Sequence, residues 1–152
     1  MDDMGLEDYK AKRDFQRTRE PEGKEGSGEE GIFVVQEHHA SHLHYDFRLS
    51  LDGVLKSWAV PKGVPEEAKV RRLAVQVEDH PLDYAGFEGR IPKGEYGAGE
   101  VKIWDKGTFQ LKERSADRLV FVLMGGRLKG AYALVRFKGK EKEAKNWLIM
   151  KL

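Results

Sequence analysis

HLHYDFRLSL, residues 42–51, alternates polar and apolar residues without a break, and Asp52-Gly53 separates it from the run VLKSWAV, residues 54–60. Successive side chains of a β-strand point to opposite faces, so the odd-numbered positions of the first run form an apolar face and the even-numbered positions form a polar face. Asp-Gly favours a two-residue hairpin turn. The two runs therefore predict an antiparallel hairpin with a fixed register.

Short apolar or alternating runs continue on both sides of this hairpin, separated by glycine-containing turns. A sheet with so many strands must close or stack to cover its apolar face and its edges. We predict a mainly β protein, a compact antiparallel or mixed β-barrel with one or two short helices, one of them at Val64–Ala68. The candidate strands are residues 32–37, 43–51, 54–60, 72–78, 100–104, 107–111, 118–123, 131–137 and 147–151.

The first 31 residues differ in composition from the rest, and we interpret residues 1–31 as an acidic N-terminal arm of the barrel domain, residues 32–152. From Glu20 onward the arm is rich in Glu, Gly and Lys, which is typical of a flexible loop. Before that point, the helical spacing of Leu6, Tyr9 and Arg13 predicts a short helix, whose apolar face is thin.

The formal net charge of +1 is the sum of two unlike parts. Residues 1–31 contain 10 acidic and 6 basic residues, a net charge of −4, whereas residues 32–152 contain 16 acidic and 21 basic residues, a net charge of +5. A moderately basic body suits a polyanionic ligand, but it is less basic than most proteins that bind DNA non-specifically. The charge therefore allows a polyanionic ligand without identifying it.

Length and composition exclude several classes of protein. A chain of 152 residues fits one domain. Without cysteine there is no disulfide, thiol nucleophile or thiolate metal site, so a bound metal must use His, Asp, Glu or backbone oxygen. No run approaches the ~20 apolar residues of a membrane helix, and the acidic N-terminus is unlike a signal peptide. We expect a soluble cytoplasmic protein without a membrane partner.

The polar face of residues 42–51 has an unusual composition. A solvent-facing strand usually favours Thr, Lys, Glu and Ser, whereas here His44, Asp46 and Arg48 stand in line, about 6.6 Å apart per two-residue step. His44 and Asp46 can converge on one cation, with Arg48 beside it for a phosphate and His38 as a third ligand. The alternative is that this face is only the wet side of an antiparallel strand. Spacing alone leaves both interpretations open.

A second alternating run, residues 72–80, ends at His80, where the following proline stops the strand. Alternation predicts that Arg72 and His80 share one face. His80 is either an ordinary surface histidine or, beside the other histidines, a group for phosphate binding or proton transfer. The same alternation predicts an inward face made of Leu73, Val75 and Val77.

Two further motifs are interpreted without a chemical role. Gly94-Glu95-Tyr96-Gly97-Ala98-Gly99 looks like a phosphate-binding loop, but a strand and not a helix follows it, so we predict a turn. The acids of Glu78-Asp79 point apart on a strand, which predicts solvated charge. No G-x-S-x-G elbow is present, which disfavours a serine hydrolase.

Three long motifs, in this order, carry a resemblance to one family. They are Gln36–Arg48, Leu55–Gly63 and Val77–Tyr84, and they are supported by Lys12–Phe15, Phe87–Gly89, Ile91–Gly94 and Tyr96–Gly99. Over essentially its whole length the sequence resembles the 3′-phosphoesterase domain of bacterial DNA ligase D. With no ligase or polymerase module attached, it looks like a free-standing form of that domain.

The resemblance implies a compact β-barrel with a defined set of site residues. It implies that the metal ligands are His38, His44 and Asp46. It implies catalytic roles at the scissile phosphate for Arg48, His80 and Tyr84, with Gln36, Lys62 and Arg72 around that phosphate. It implies a role in the diesterase step for Arg13, Asp14 and Glu20. The implied cofactor is Mn²⁺, with other divalent metals as alternatives.

The activity that the resemblance implies is processing of DNA 3′ ends. The domain would remove a 3′-terminal ribonucleoside from a primer strand, leaving a 3′-phosphate, and then hydrolyse this phosphate to a 3′-hydroxyl for repair by end joining. The implied substrate is a primer-template with a 3′ ribonucleotide or 3′-phosphate, and the implied protein partners are a separate DNA ligase, polymerase or Ku. Two alternatives are a non-catalytic module that binds nucleic-acid ends and docks on a ligase or polymerase, and a phosphodiesterase for a small cyclic nucleotide.

Overall fold

Nine β-strands and two short helical segments make up the part of the chain that the structure describes. The structure is a computed structural model and describes residues 6–15, 20, 31–137 and 145–152. The helical segments are α1 (Glu7–Ala11) and a 3-10 helix (Leu82–Gly86). The strands are β1 (Ile32–His39), β2 (Leu43–Leu51), β3 (Val54–Val60), β4 (Arg71–His80), β5 (Gly89–Ile91), β6 (Gly99–Arg114), β7 (Arg118–Gly125), β8 (Lys129–Arg136) and β9 (Asn146–Lys151).

Eight of these strands close into an antiparallel barrel. Hydrogen-bonded neighbours follow the order β1-β2-β3-β4-β9-β8-β7-β6, and β1 pairs with β6 to complete the circle. β5 pairs with β6 as an additional strand. The prediction of a mainly β, antiparallel barrel is confirmed, with one short α-helix in the described part of the chain. No helix among the described residues is long and apolar enough to cross a membrane.

Apolar side chains pack on both sides of one barrel wall. Inside the barrel, the predicted apolar face of β2 packs against aromatic residues such as Trp58 and Phe121. Outside, a smaller cluster joins Tyr9 of α1 and Tyr84 of the 3-10 helix to Leu55 of β3. Residues 6–15, 20 and 81–98 therefore form a covering layer on the outer surface of this wall, and the polar face of β2 lies beneath it.

The segment Val64–Ala68 is not helical, so the prediction of a helix there is wrong. Val64 is buried in the barrel core, and the Tyr132 hydroxyl donates a hydrogen bond to the Pro65 carbonyl oxygen at 2.7 Å. These contacts fix a short extended segment that ends in a bridge with β9. A helix of five residues is only marginally stable by itself, so the contacts with the core determine the conformation of this segment.

β6 runs unbroken over residues 99–114, where the sequence predicted two strands. Across the β1–β6 pair Val35 lies opposite Asp105 and Gln36 lies opposite Ile103, so Trp104 is an extra residue without a partner on β1. A β-bulge of this kind bends a strand without ending it and re-aims the bulged side chain. The long bent strand pairs in turn with β1, β5 and β7.

The prediction that Leu73, Val75 and Val77 face the core is wrong. Ala74 is the residue of this run that packs in the barrel core, whereas Leu73 is 40% exposed. Both faces of β4 carry apolar residues, so alternation does not identify the inner one. The small Ala74 fits beneath the large aromatic residues of the core, which the pattern of apolar positions does not reveal.

A bulge in β4 also overturns the predicted shared face of Arg72 and His80. Leu55 pairs with His80 and Ser57 pairs with Val77, so β4 contains one residue more than β3 in this interval. One extra residue inverts the alternation of the side chains that follow it. His80 therefore turns to the covered outer wall, and Arg72 stays on the opposite face.

The short helix predicted in the arm is α1, and its Tyr9 is fully buried. Glu20 is 4% exposed, so the interpretation of this residue as the edge of a flexible loop is wrong. A carboxylate is this deeply buried only where partners compensate its charge. Residues 21–30 of the predicted loop lie outside the described residues.

Candidate metal and phosphate site

The polar face of β2 meets β1 beneath the covering layer. In the β1–β2 register Gln36 lies opposite Asp46 and His38 lies opposite His44. Directly opposed residues of antiparallel strands project to the same face, so these four side chains and Arg48 form one polar patch on the outer wall. All of them except His44 are buried. The predicted polar face is a covered site and not the wet side of a strand.

Two imidazoles and a carboxylate converge in this patch. One potential ligand atom from each of His38, His44 and Asp46 lies within 4.8 Å of the others. His38 Nε2 is 2.7 Å from the Gly97 carbonyl oxygen, and His44 Nδ1 is 3.3 Å from that of His42. A carbonyl oxygen only accepts, so these two ring nitrogens carry hydrogen and donate. The other two, His38 Nδ1 and His44 Nε2, face the Asp46 carboxylate at 3.6 and 3.3 Å.

This donor set fits a divalent cation. In neutral imidazoles the nitrogens that face Asp46 carry lone pairs, and such an arrangement is stable with a cation or a proton between them. The hydrogen bond with Asp46 raises the pKa of His44, against the effect of burial. Burial alone raises the pKa of Asp46, but the neighbouring imidazoles of His38 and His44 and the charge of Arg48 hold it well below its usual range. The cluster attracts positive charge, and its nitrogen and oxygen ligands suit a first-row divalent metal.

Arg48 is a buried cation beside this cluster. Its Nε donates to Gln36 Oε1 at 2.6 Å and its Nη1 donates to Ser57 Oγ at 2.9 Å. Gln36 is itself fixed, because its Nε2 donates to the Tyr84 carbonyl oxygen at 2.9 Å. Arg48 Nη2 lies 3.5 Å from Asp46 Oδ2. A guanidinium held in this way is pre-organised to bind an anion next to the candidate metal ligands.

His80 is buried and uncharged at neutral pH. Burial, followed by the charges of Arg48 and Arg13, lowers the pKa of His80 well below its usual value. Its Nδ1 lies 3.0 Å from the Glu78 carbonyl oxygen and therefore carries hydrogen, while its Nε2 lies 3.4 Å from Arg13 Nη2, which donates. The resting His80 is a hydrogen-bond acceptor at Nε2 and not a phosphate-binding cation.

Arg13 joins the covering layer to the site. Its Nε donates to Glu20 Oε2 at 2.9 Å and its Nη1 donates to Glu78 Oε2 at 3.0 Å, and all three side chains are at most 5% exposed. The Tyr84 hydroxyl donates to the same Glu20 oxygen at 2.8 Å. The prediction of solvated charge at Glu78 is therefore wrong. Its carboxylate is a buried partner of Arg13.

Three of the predicted site residues lie elsewhere. Lys62 and Arg72 line a second cleft, where Arg72 Nη1 donates to the carbonyl oxygens of Lys62 and Gly63 at 2.7 and 3.1 Å. Asp14 is exposed on the arm. The structure brings the other predicted residues together, and the expected contacts of these three with the reacting phosphate stay predictions.

The site opens as a pocket of about 250 Å³. The charged side chains that line it, in the part of the chain that the structure describes, are Arg13, Arg48, Asp46 and Glu78, and their charges cancel. A divalent cation on the His-Asp cluster makes the pocket net positive, which is the sign that a phosphate requires. Without a metal, these four side chains give the pocket no net charge.

The sequence interpretation missed Ser57, Gly97 and Glu78. The position of Ser57 could have been predicted from the sequence, because a two-residue turn at 52–53 places it opposite Arg48. Gly97 has a φ of 76°, which favours glycine, and its carbonyl group orients His38. The glycines of this segment predict a turn, but they do not predict its contact with His38. That contact joins residues that are far apart in the sequence.

Two comparisons with known proteins agree with this geometry. Residues 36–136 match the family model for the DNA Ligase D 3′-phosphoesterase domain. The chain belongs to this family. The segment that matches the phosphoesterase family includes the His-Asp cluster, Arg48, His80 and Tyr84, whereas Arg13 and Glu20 precede it.

Curated relatives of the phosphoesterase family extend the similarity into the arm. The chain is 49% identical over 150 residues to the multifunctional non-homologous end joining DNA repair protein LigD of Mycobacterium tuberculosis. It is 49% identical over 154 residues and 44% identical over 160 residues to the multifunctional non-homologous end joining proteins LigD of Pseudomonas aeruginosa and Mycolicibacterium smegmatis. These alignments cover 95%, 96% and 97% of this chain but 19%, 18% and 20% of the relatives. The chain spans about a fifth of their length.

Proposed function

We propose that this protein is a metal-dependent phosphoesterase that processes DNA 3′ ends during repair by end joining. The observation that carries the proposal is the convergence of His38, His44 and Asp46 with Arg48 in one covered pocket. The family match and the relatives named for DNA end joining support the class of substrate. The proposed reactions are removal of a 3′-terminal ribonucleoside, leaving a 3′-phosphate, and hydrolysis of that phosphate to a 3′-hydroxyl.

The His-Asp cluster would hold the metal, for which we propose Mn²⁺. A bound metal would polarise a phosphoryl oxygen and lower the pKa of a bound water. The chain contributes the fixed geometry: the Gly97 and His42 carbonyl groups orient the two imidazoles, and Arg48 Nη2 lies 3.5 Å from Asp46 Oδ2. Such partners behind metal ligands set both their orientation and their basicity.

Arg48 would bind the non-bridging oxygens of the reacting phosphate. Phosphoryl transfer places negative charge on these oxygens, and a pre-organised cation stabilises that charge without reorganising. Gln36 and Ser57 keep the guanidinium in place, and the Tyr84 ring lies 4.9 Å from its central carbon. These contacts leave Arg48 no freedom to turn away from the pocket.

His80 would transfer the proton. Hydrolysis forms a bond from a water oxygen to phosphorus, breaks the bond from phosphorus to the leaving oxygen, and moves one proton from the water to that leaving oxygen. The uncharged His80 would accept the proton at Nε2, in place of the hydrogen bond that Arg13 Nη2 donates there, and would return the proton to the leaving oxygen. The structural support for this role is the lowered pKa of His80 and its position in the same pocket as the His-Asp cluster.

The remaining roles are proposals that rest on the resemblance. Arg13, Glu20 and the exposed Asp14 are proposed for the diesterase step, and Lys62 and Arg72 for contacts with the nucleic acid. A DNA ligase, polymerase or Ku is the proposed partner, because the relatives are named for non-homologous end joining.

The experiment compares two neighbouring histidines. The protein is incubated with Mn²⁺ and a labelled primer-template that ends in one ribonucleotide or in a 3′-phosphate, and the products are resolved on a gel. We expect wild type to convert both ends and His44→Ala to lose activity by about 100-fold or more, because a metal ligand is missing. The exposed His42 is the matched control, since His42→Ala keeps the carbonyl group that orients His44.

Equal rates for His44→Ala and wild type, or no conversion by wild type, contradict the proposal. Binding of the primer-template without conversion supports the non-catalytic end-binding module. Hydrolysis of a small cyclic nucleotide that duplex ends do not inhibit supports the third function.

A further inference from the structure

A second cleft, of about 420 Å³, lies at the mouth of the barrel. Tyr45 lines it, and this residue stands between His44 and Asp46 on β2. Because neighbouring side chains on a strand point to opposite faces, the cleft and the metal cluster lie on the two faces of the same strand. We call this site the mouth cleft and define it by Tyr45, Lys62, Arg72, Trp104 and Arg127.

A buried carboxylate supports the turn that carries Arg127, on one wall of the mouth cleft. Asp105, 6% exposed, accepts hydrogen bonds from the backbone N–H groups of Gly126, Arg127 and Leu128 at 2.9, 3.1 and 2.8 Å. These bonds fix the backbone of the turn between β7 and β8. The Arg127 guanidinium of this turn lies 4.5 Å from the ring centroid of Trp104. Trp104 is the bulged residue of β6, so its ring is re-aimed towards the mouth. The wall presents a cation and an aromatic ring in a fixed arrangement.

The opposite wall is fixed as well. Arg72 Nη1 bonds the carbonyl oxygens of Lys62 and Gly63, which secures the turn after β3. Gly63 has a φ of 88°, and a Cβ atom there would lie 3.4 Å from the Tyr45 ring. The Tyr45 ring meets the Trp104 ring edge-on at 5.9 Å. Two aromatic rings and three cationic side chains therefore surround a cleft with stable walls.

The chemistry of the lining selects a nucleotide over a simple anion. Cations beside aromatic faces suit a phosphate that is joined to a stacking base. Glu66 and Glu67 also line the cleft. Their carboxylates disfavour a bare polyphosphate but accept hydrogen bonds from the amino groups of bases. The volume lies in the range of small-ligand sites.

We propose that the mouth cleft binds an unpaired nucleotide of the nucleic acid whose 3′ end occupies the metal site. The identity of this nucleic acid rests on the proposed function. A strand that crosses the barrel rim at β2 reaches both sites, because they lie on opposite faces of that strand. The unpaired nucleotide comes either from the primer strand or from a template overhang.

Anisotropy of fluorescein-labelled DNA with a 3′-hydroxyl end tests the proposal without catalysis. The variants are Arg127→Glu and the matched control Lys129→Glu, which reverses an exposed charge two residues away, outside the cleft. We expect Arg127→Glu to raise Kd about tenfold for DNA with unpaired nucleotides, and Lys129→Glu to change it less than about twofold. Both variants should bind a blunt duplex alike. Duplexes with a 3′ or a 5′ overhang identify the strand that supplies the nucleotide.

Tryptophan fluorescence gives a second readout. Trp58 and Trp147 are buried, so a base that stacks in the mouth cleft quenches the partly exposed Trp104, and Trp104→Phe removes this quenching while it keeps an aromatic ring. Three results would each overturn the inference. The two charge reversals could have equal effects, the quenching could persist in Trp104→Phe, or wild type could fail to bind DNA. If wild type binds unpaired nucleotides through Arg127 but does not convert 3′ ends, the inference is retained and the proposed activity is contradicted. If wild type converts 3′ ends but its DNA binding does not depend on Arg127, the proposed activity is retained and the inference is overturned.

Discussion

The outer faces of β2 and β6 both carry polar residues, but they have different surroundings. On β2, Asp46 and Arg48 are only 7% and 3% exposed beneath the covering layer. On β6, Lys106, Thr108 and Gln110 are exposed. Alternation is the same on both strands, so the difference comes from the covering layer, which buries the β2 face and contacts β6 near its start, at Val101. A polar strand face becomes a site where a second layer buries it, and residue composition distinguishes the two cases.

The largest expected effect is on the covered wall, in Arg48→Met. This change leaves the buried Asp46 and Gln36 without their cationic partner, so we expect a loss of about 3–5 kcal/mol in the free energy of unfolding. The same change on the open wall, Lys106→Met, should stay within about 0.5 kcal/mol of wild type. Urea unfolding measures both. Similar losses for the two variants would show that the covering layer does not bury the β2 face.

Glu20→Gln tests how the arm attaches to this wall. The variant removes the charge that partners Arg13 and weakens the bond from the Tyr84 hydroxyl, so we expect a loss of about 1.5–3 kcal/mol in urea unfolding. The control is Asp8→Asn, at an exposed position of α1, for which a loss below about 0.5 kcal/mol is expected. If the control loses as much as Glu20→Gln, the buried contacts of Glu20 do not hold the arm.

His80 should make the stability of the protein depend on pH. Its pKa is lower in the folded than in the unfolded protein, so its contribution is complete above about pH 6.5 and is lost as the pH falls. Where the unfolded state binds one more proton, the free energy of unfolding decreases by about 1.4 kcal/mol per pH unit. Urea midpoints between pH 7.5 and 5.5, with a metal chelator present, should decrease less in His80→Gln than in wild type. The exposed His42→Gln should keep the wild-type slope, and an unchanged slope in His80→Gln would assign the dependence to other groups.

The smallest effect is expected for an ion pair outside the covered wall. Arg114 donates to Asp52 with both of its terminal nitrogens, but both side chains are more than 40% exposed. Exposed pairs of this kind contribute about 0–1 kcal/mol and are weakened by salt. Arg114→Ala should therefore lose less than about 1 kcal/mol in urea unfolding. If Arg114→Ala lowers the free energy of unfolding as much as Glu20→Gln does, burial does not explain why the Arg13–Glu20 pair should contribute more than the exposed Arg114–Asp52 pair.

The hairpin and the convergence of His38, His44 and Asp46 could be predicted because their determinants are local. Alternation and the Asp52-Gly53 turn define the register of β2 and β3, and they place His44, Asp46 and Arg48 on one face. The short loop between β1 and β2 then returns the chain, so His38 lies opposite His44. The roles of Arg13, Glu20 and Lys62 came from the resemblance alone.

The other details depend on contacts between distant residues. The bulges at Trp104 and before His80 each insert one residue without a local sequence signal, and the second one moves His80 to the face of the site. Glu20 stands in a stretch with the composition of a loop, and its burial follows from Arg13 and Tyr84, which lie before and far beyond it in the chain. Packing against the barrel wall decides these positions, and single-residue patterns do not encode it.

Binding of Mn²⁺ by wild type and by Asp46→Asn, followed by electron paramagnetic resonance titration, tests the central claim most directly. The claim is that the covered face of β2 is a metal site formed by His38, His44 and Asp46. We predict one bound ion per chain in wild type and in His42→Ala, and loss of this binding in Asp46→Asn, because the carboxylate provides the only formal negative charge among the three ligands. Equal Mn²⁺ affinity in wild type and Asp46→Asn would contradict the account.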